Sequence, residues 1–291
     1  MLLSMTGYGR TQTTFRDKII MVEIRSLNSK YTDLRLKLPT GYRGHEPVIR
    51  KMINDQAQRG KVDVTIDIKT GEGDEAYQLN KPLFKKYYQE LTVLAEELDM
   101  DTTNILPAIL KLPNIATTQE QEPDKEEWRS VEAGIQKTLD LFLNFRVGEG
   151  EAMEKDMRMR VKNIRALTQE LPAYEQERID KLRQRLHQNL EEHLSKDHID
   201  ENRFEQEILF YLEKMDITEE KVRLEQHCVH FLEELDKEIT LKGRKLSFIT
   251  QEMGREINTM GAKAYSSGIQ RLVVGMKDEL EKIKEQVANS L

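Results

Sequence analysis

The alternation of apolar and polar positions in the first 70 residues predicts a small β-sheet. Residues 19–27, 34–38 and 62–68 each alternate with the period of two that a half-buried strand requires. Residues 45–58 lie between two of these stretches and repeat apolar side chains at helical spacing. A small sheet with one packed helix accounts for this pattern. The side chains expected near its core in the first strand are Val22, Ile24 and Leu27.

Helical periodicity replaces this alternation from residue 81 onwards. Pro82 stands at a favoured helix start, and a stripe of apolar side chains follows it. Residues 128–145 and 151–195 predict two further helices, because both stretches are rich in helix-forming residues. We expect residues 148–150, which contain two glycines, to break or kink the helix between them, and Pro172 to interrupt the second one.

Further helices are expected in the last 90 residues. The first covers residues 202–215, Thr218 is the expected N-cap of the second, and residues 242–244 are the break before the third. The C-terminal end of the chain repeats apolar residues at a/d-like spacing, which indicates a helix that needs a partner helix. That stripe is Ile269, Leu272, Val273, Met276, Leu280, Ile283 and Val287.

The predicted fold class is therefore α+β, with a small mixed sheet followed by long antiparallel α-helices. We expect residues 1–148 to form the N-terminal α+β domain and residues 149–200 a long helical connector. Residues 201–291 should form a C-terminal helical domain that carries the candidate active site.

Composition supports helices with one apolar stripe each. Hydrophobic residues make up 38% of the chain and charged residues 33%, which does not suit a thick multilayered core, so much of the burial is expected from subunit contacts. Cys228 is the only cysteine, which excludes intramolecular disulfides and fits a reducing compartment. The first residues have no basic segment and no long apolar run. We expect a soluble, cytoplasmic protein without a signal peptide or membrane span.

The net charge is −7, which argues mildly against nucleic acid as a partner. An acidic protein can still carry a local basic groove, and its excess carboxylates are suitable ligands for hard divalent cations. Composition alone is therefore neutral about function.

One polar stripe lies on the helix expected after residue 244. At about 100° per residue, one face carries Glu252, Arg255, Glu256, Thr259 and Lys263. Two carboxylates at i and i+4 place oxygens close enough to hold one divalent ion, and the adjacent cations suit a phosphate. Surface ion pairs at the same spacings are the alternative interpretation.

A second polar stripe lies on the preceding helix: Glu220, Arg223, His227, His230 and Glu234. Imidazole suits metal binding and proton transfer near neutral pH, whereas solvated or helix-capping histidines are the alternative. Cys228 lies on the adjacent apolar arc and is interpreted as a core residue. If the two helices are antiparallel, the stripes face each other and form one polar trough suited to phosphodiester hydrolysis with a divalent ion.

Basic clusters predict a possible RNA track. Arg59 and Lys61 lie in the sheet region, and Arg244 and Lys245 lie close to the proposed trough. Taken singly, each cluster is more often a solvated face than a binding surface.

Ordered motifs along the whole chain resemble those of the YicC/YloC family. Residues 4–9 (SMTGYG) match the family's opening motif, and residues 23–33 resemble its E-x-[RK]-S-V-N-H-R-[FY]-x-[DE] stretch. Residues 59–62 resemble its R-G-[KR]-V motif. The most specific match is the C-terminal run over residues 243–259, which Lys263 and residues 280–287 follow.

The resemblance implies an endoribonuclease that depends on Mn²⁺ or Mg²⁺, has no organic cofactor and assembles into a ring-like or clamp-like hexamer. It also supports a functional role for the two polar stripes. The residues assigned to RNA binding are Arg25, Asn28, Lys30, Arg59, Lys61, Arg244 and Lys245. The chain departs from the family pattern at Ser29 and Lys30, where His-Arg is usual, at Gly254, at Gly275 and at residues 265–268.

The resulting hypothesis is hydrolysis of single-stranded or loop RNA by a metal-bound water. The expected metal ligands are Glu252, Glu256 and His227. The residues expected to neutralise the phosphate are Arg223, Arg255 and Lys263. His230 would transfer a proton, and Asn258 and Thr259 would orient water or phosphate.

Two other interpretations remain open on the sequence. A non-catalytic RNA-binding scaffold that presents RNA to other nucleases would keep the basic clusters and the oligomer, but it would show no metal-dependent turnover. A purely structural helical assembly would not retain RNA even at low salt.

Overall fold

A computed structural model describes residues 2–29, 33–57, 60–70, 77–98, 100–118, 122–193, 201–239 and 241–291. The strands are β1 (Gly7–Phe15), β2 (Lys18–Leu27), β3 (Asp33–Lys37), β4 (Lys61–Thr70), β5 (Tyr77–Leu79) and β6 (Ala116–Thr118). The helices are α1 (Glu46–Ala57), α2 (Lys81–Glu97), α3 (Ile105–Leu110), α4 (Lys125–His193), α5 (Glu201–Met215), α6 (Thr218–Asp236), α7 (Gly243–Lys263) and α8 (Ser267–Ala288). The predicted α+β class, with a small mixed sheet before long helices, is confirmed.

The described residues form two compact units that interleave along the chain. The C-terminal unit contains Met1–Gly7, Leu27–Lys30 and Leu143–Leu291, and the N-terminal unit contains Tyr8–Ser26 and Tyr31–Phe142. The two ends of the chain meet inside the C-terminal unit, because the backbone N–H of Leu291 donates to the carbonyl oxygen of Leu3 at 2.9 Å. The domain division predicted at residues 148 and 200 stays a prediction.

The N-terminal unit contains a four-stranded sheet in the order β1-β2-β4-β3, with β3 and β4 parallel. The three predicted strands are present, and alternate residues of β4 are buried as the pattern required. The prediction for Leu27 was wrong, since this side chain is 58% exposed while Ser26 is buried. A strand alternates strictly, so Ser26 continues the buried row of Val22 and Ile24, and Leu27 lies on the opposite face.

Strand β1 was not predicted, because its buried positions include glycine and threonine and therefore show no apolar alternation in the sequence. Gly9 lies so close to α4 that a Cβ atom at this position would come within 2.4 Å of the carbonyl oxygen of Thr138. The hydroxyls of Thr11 and Thr138 share a buried hydrogen bond of 2.6 Å. Close backbone approach and this polar contact therefore hold β1 on the helix in place of large apolar side chains.

Helix α4 continues through both predicted interruptions, so a break at residues 148–150 or at Pro172 was wrong. Gly150 does not end the helix; it leaves room for the N-terminal segment, because a Cβ there would lie 2.0 Å from the carbonyl oxygen of Leu2. Pro172 lies inside the helix. An interior proline costs about 3 kcal/mol, and burial of one face of α4, including Ile164 and Leu171, opposes that cost.

Helix α6 begins where the sequence indicated, with a different cap. Thr218 is its first residue, and the carboxylate of Asp216 accepts hydrogen bonds from the Thr218 backbone N–H at 3.0 Å and hydroxyl at 2.7 Å. The N-cap position is Ile217, which makes no side-chain capping hydrogen bond, so the prediction of Thr218 as the N-cap was wrong by one residue.

The C-terminal unit is built around the predicted apolar stripe of α8. Every residue of that stripe is buried, and it packs with the apolar faces of α4, α6 and α7, so the partner helices come from the same chain. Cys228 lies in this core, where burial raises the pKa of its thiol to about 12. The interpretation of Cys228 as a core residue is confirmed. Among the described residues, no helix is long and apolar enough to cross a membrane.

Candidate active site

Helices α6 and α7 lie side by side and antiparallel. Glu220 in the first turn of α6 forms an ion pair of 2.7 Å with Lys263 at the end of α7. Glu234 near the end of α6 forms another ion pair of 2.7 Å with Lys245 in the first turn of α7. The two helices are therefore antiparallel, the arrangement in which the sequence predicted that the polar stripes face each other, and ion pairs join them at both ends.

The apolar faces of the two helices determine where these stripes lie. On α7 the buried residues are Leu246, Ile249, Met253, Ile257 and Met260. On α6 they include Leu224, Cys228, Phe231 and Leu235. Because these side chains fix the rotation of each helix, Glu252 and Glu256 are left half-buried at the middle of α7 and His227 at the middle of α6. We call this arrangement, bounded by the two ion pairs, the α6–α7 trough.

The two glutamates at the ends of the trough are buried, with residue exposures of 5% for Glu220 and 4% for Glu234. Glu234 accepts from Lys237 at 2.6 Å as well as pairing with Lys245. Burial raises the pKa of Glu234, but its bonds to Lys237 and Lys245 lower it by more, so the net shift is downward. Glu220 has one carboxylate oxygen, Oε2, without a hydrogen-bond partner among the described residues.

The two central carboxylates differ in what surrounds them. Glu252 pairs with Arg255 at 3.3 Å, and the Arg255 side chain is 75% exposed. The side chain of Glu256 has no hydrogen bond or ion pair to any other described residue. Side chains four residues apart on a helix are neighbours, so the trough presents one weakly paired and one unpaired carboxylate next to each other.

These two carboxylates fit a divalent ion that the substrate helps to bind. Within the described ranges, no group of three or more His, Cys, Asp or Glu side chains is placed to hold a metal ion, so His227 is not gathered with Glu252 and Glu256 into such a group. Mg²⁺ is commonly held by one or two carboxylates together with substrate phosphates. Two adjacent glutamates therefore match the number of protein ligands that a site of this kind commonly has.

Other residues of the predicted catalytic set differ in whether their side chains are held by ion pairs. Lys263 is held by Glu220, and Arg223 pairs with Glu219 at 2.5 Å. His230 is exposed on the outer edge of the α6 stripe.

Two polar residues of α7 have different surroundings. The hydroxyl of Thr259 donates to the carbonyl oxygen of Arg255 at 3.0 Å. Asn258 is exposed, and six residues separate it from Glu252, which places it about 120° away around the helix axis. Asn258 therefore lies on a different face of α7 from the two carboxylates.

The residues predicted to bind RNA fall in both units. In the N-terminal unit Arg25 is exposed, with its guanidinium 5.5 Å from the centre of the Tyr8 ring, and Lys61 is half-buried. In the C-terminal unit Arg244 is exposed and Lys245 pairs with Glu234. Lys30 and Arg59 lie outside the described residues.

Asn28 has a structural contact in the C-terminal unit. Its side-chain amide donates to the carbonyl oxygen of Ala288 and to Oδ1 of Asn289, both at 2.8 Å. This residue therefore ties the segment after β2 to the end of α8.

The sequence did not indicate that Glu220 and Glu234 are buried and join α6 to α7 through ion pairs with lysines. The pattern assigns both residues to the polar stripe of α6, and their burial and pairing depend on the register between the two helices. The available signal was their spacing, since Glu220, His227 and Glu234 repeat every seven residues and so return to one face of the helix.

Comparison with known proteins gives matches over almost the whole chain. Residues 2–155 match the family model described as "Endoribonuclease YicC-like, N-terminal region", and residues 171–290 match "Endoribonuclease YicC-like, C-terminal". The chain is 31% identical to the probable endoribonuclease YicC of Clostridioides difficile, with 99% of each chain covered. It is 29% identical to the probable endoribonuclease YicC of Haemophilus influenzae, again with 99% of each chain covered.

Proposed function

The chain belongs to the endoribonuclease YicC-like family, and on this basis we propose that it hydrolyses internal phosphodiester bonds of single-stranded or loop RNA with a divalent ion. We locate the active site in the α6–α7 trough, because two neighbouring carboxylates lie there between two lysine–glutamate ion pairs.

In this proposal Glu252 and Glu256 hold Mn²⁺ or Mg²⁺ together with the substrate phosphate, and His227 would have to move towards them to become a further ligand. When bound, such an ion supplies positive charge to the phosphate and lowers the pKa of water that it contacts. Glu256 needs no rearrangement to take this role, because it has no competing partner among the described residues.

Arg255 is the cation best placed to meet the RNA phosphate. Its side chain is largely exposed, and within the described part of the chain its side chain pairs only with Glu252, at the long distance of 3.3 Å. A weak surface pair of this kind costs little to exchange for a phosphate. His230 is exposed and able to transfer a proton to the leaving group.

The preference for unpaired RNA is supported by the N-terminal unit. Tyr8 is 39% exposed, and the guanidinium of Arg25 lies over its ring. An exposed aromatic ring beside a cation suits an unstacked base and its phosphate.

Assembly into a hexamer and action in the cytoplasm belong to the same proposal. Exposed apolar side chains support an oligomer where they adjoin one another, because contiguous apolar patches mark protein interfaces. The aliphatic and phenyl side chains of the C-terminal unit that are at least 58% exposed are Leu27, Leu209, Phe210, Ile239, Leu241, Phe248 and Val274.

A non-catalytic RNA-binding scaffold is the second candidate function. It is favoured by the ion pairs along the trough, since Glu220, Glu234 and Arg223 all have partners within the chain. These pairs are also what an ordinary pair of packed helices would form.

Incubation of an end-labelled, unstructured RNA with the purified protein separates the two functions. We expect internal cuts with Mn²⁺ or Mg²⁺, none with EDTA, and much slower cutting of a fully paired RNA of the same sequence. RNA that is retained but remains uncut with every metal would support the scaffold and contradict the nuclease.

A further inference from the structure

A cavity of about 430 Å³ lies in the C-terminal unit, apart from the central carboxylates of the trough. Helix α4 forms one wall, α5 forms a second, and the turn between α7 and α8 with the first residues of α8 closes it. This volume lies within the range of pockets that bind small molecules, about 300–1,000 Å³.

The lining of this cavity is strongly cationic although the whole chain carries a net charge of −7. Five cationic side chains surround it: Arg178, Lys181, Arg185, Lys214 and Arg271. Glu177 is the only carboxylate among the lining residues and is paired with Lys181. Arg185, Lys214 and Arg271 have no ion-pair or hydrogen-bond partner among the described residues. The cavity therefore has positive charge that the described side chains do not balance.

Arg178 gives independent evidence that an anion belongs here. This residue is only 7% exposed, and its Nη1 donates to the carbonyl oxygens of Lys263 at 3.2 Å and Ala264 at 3.1 Å. Its Nε is buried and has no hydrogen-bond partner among the described atoms. A guanidinium that donates to carbonyl oxygens has lost water without a carboxylate in contact. Burial lowers the pKa of Arg178, and the charges of Glu175 and Asp216 offset only part of that shift. An anion in the cavity would compensate for that loss.

Aromatic rings line the same cavity. Tyr174, Tyr211 and Tyr265 contribute to the lining, and Tyr265 is 65% exposed. Gly268 at the start of α8 permits this arrangement, because a Cβ atom there would lie 2.2 Å from the Tyr174 ring. Stacking on an aromatic side chain contributes about 1–3 kcal/mol per base. Phosphate-binding cations and stacking surfaces therefore occur together.

We propose that this cavity binds one nucleotide, with its phosphate near Arg178, Arg185 and Arg271 and its base against a tyrosine ring. The nucleotide is supplied by an RNA strand, which rests on the proposed function, although a free nucleotide has the same chemistry. As part of a strand, the bound nucleotide would hold RNA on the C-terminal unit at a place separate from the cleavage residues.

The test measures binding of a fluorescein-labelled single-stranded RNA in EDTA over a series of salt concentrations. The full-length wild-type protein is compared with Arg185→Gln/Arg271→Gln. The matched control, Arg183→Gln/Lys277→Gln, removes the same charge from exposed positions of the same two helices that do not line the cavity. Titration with adenosine 5′-monophosphate forms a second arm.

We expect the cavity variant to bind RNA about tenfold more weakly than wild type. The slope of log affinity against log salt should fall by about 0.7, since the cavity holds one phosphate and each neutralised phosphate on a single strand contributes about 0.7. The control variant should stay within about twofold of wild type. Loss of RNA binding confined to the cavity variant would support the proposal.

Equal RNA binding by the two variants, together with monophosphate binding that does not depend on Arg185 and Arg271, would overturn it. Binding of the monophosphate that needs Arg185 and Arg271, with unchanged RNA binding, would keep the nucleotide site and overturn the RNA strand as its source. The assay contains no metal, so its result is independent of cleavage. Cavity-dependent binding by a protein that never cuts would contradict the proposed function alone.

Discussion

Replacement of both Glu252 and Glu256 by glutamine should lower the rate of internal RNA cleavage by at least about a thousandfold. Loss of the carboxylates removes the proposed ligands of the divalent ion, whose charge stabilisation is worth several kcal/mol, and each 1.36 kcal/mol changes the rate tenfold. RNA binding in EDTA should stay within about twofold of wild type, because the RNA contacts of the other residues remain.

The fold should survive this double substitution. Glu252 has only a weak pair with the largely exposed Arg255, and exposed pairs contribute about 0–1 kcal/mol. The matched control is Glu281→Gln/Glu285→Gln on α8, which has the same spacing and also contains one i,i+3 ion pair, from Glu281 to Lys284. The control should cleave RNA at the wild-type rate. Full activity of Glu252→Gln/Glu256→Gln, with the far-ultraviolet circular dichroism of wild type, would reject the assignment of the site.

Replacement of Lys263 by methionine should lower the free energy of unfolding by about 2 kcal/mol. It leaves Glu220 buried without its cation, and breaking a buried pair typically costs about 3–5 kcal/mol. The smaller value is expected because the Lys263 side chain is 35% exposed and water reaches its ammonium group. Urea unfolding followed by circular dichroism at one fixed protein concentration measures the change.

A double-mutant cycle separates this structural role of Lys263 from contact with RNA phosphate. Glu220→Gln/Lys263→Met should be more stable than Lys263→Met, because no buried carboxylate is then left without a cation. Lys284→Met breaks the more exposed pair with Glu281 and should change stability by less than about 1 kcal/mol. Unchanged stability of Lys263→Met together with lost cleavage would instead identify Lys263 as a contact of the phosphate.

The helices of the C-terminal unit were predictable because their apolar residues repeat at the spacing of an α-helix. The stripe from Ile269 to Val287 indicated both the helix and its need for helical partners, and α8 is buried along that stripe. The continuity of α4 was not predictable from the same information. Gly150 and Pro172 are local helix breakers, and only tertiary contacts, such as the approach of Leu2 to Gly150, make the unbroken helix the stable choice.

The candidate site was predictable as two polar stripes but not as a set of contacts. Periodicity placed Glu252, Glu256 and His227 beside the apolar faces of their helices, where the structure leaves them half-buried, whereas pairing of Glu220 with Lys263 depends on the register between two helices. The basic cavity was missed, although Arg178 and Arg185 are seven residues apart and share a face of α4. Its other walls come from distant segments, which the sequence does not relate to α4.

The Mn²⁺ dependence of RNA cleavage by wild type and by the single variant Glu256→Gln tests most directly whether the trough carboxylates hold the catalytic ion. We predict that the midpoint of Mn²⁺ activation shifts to at least about tenfold higher concentration in the variant, since changes even in residues that support metal ligands cost about 10–100-fold in metal affinity. RNA affinity in EDTA should be unchanged. An identical midpoint and an identical rate for the two proteins would contradict the proposed site.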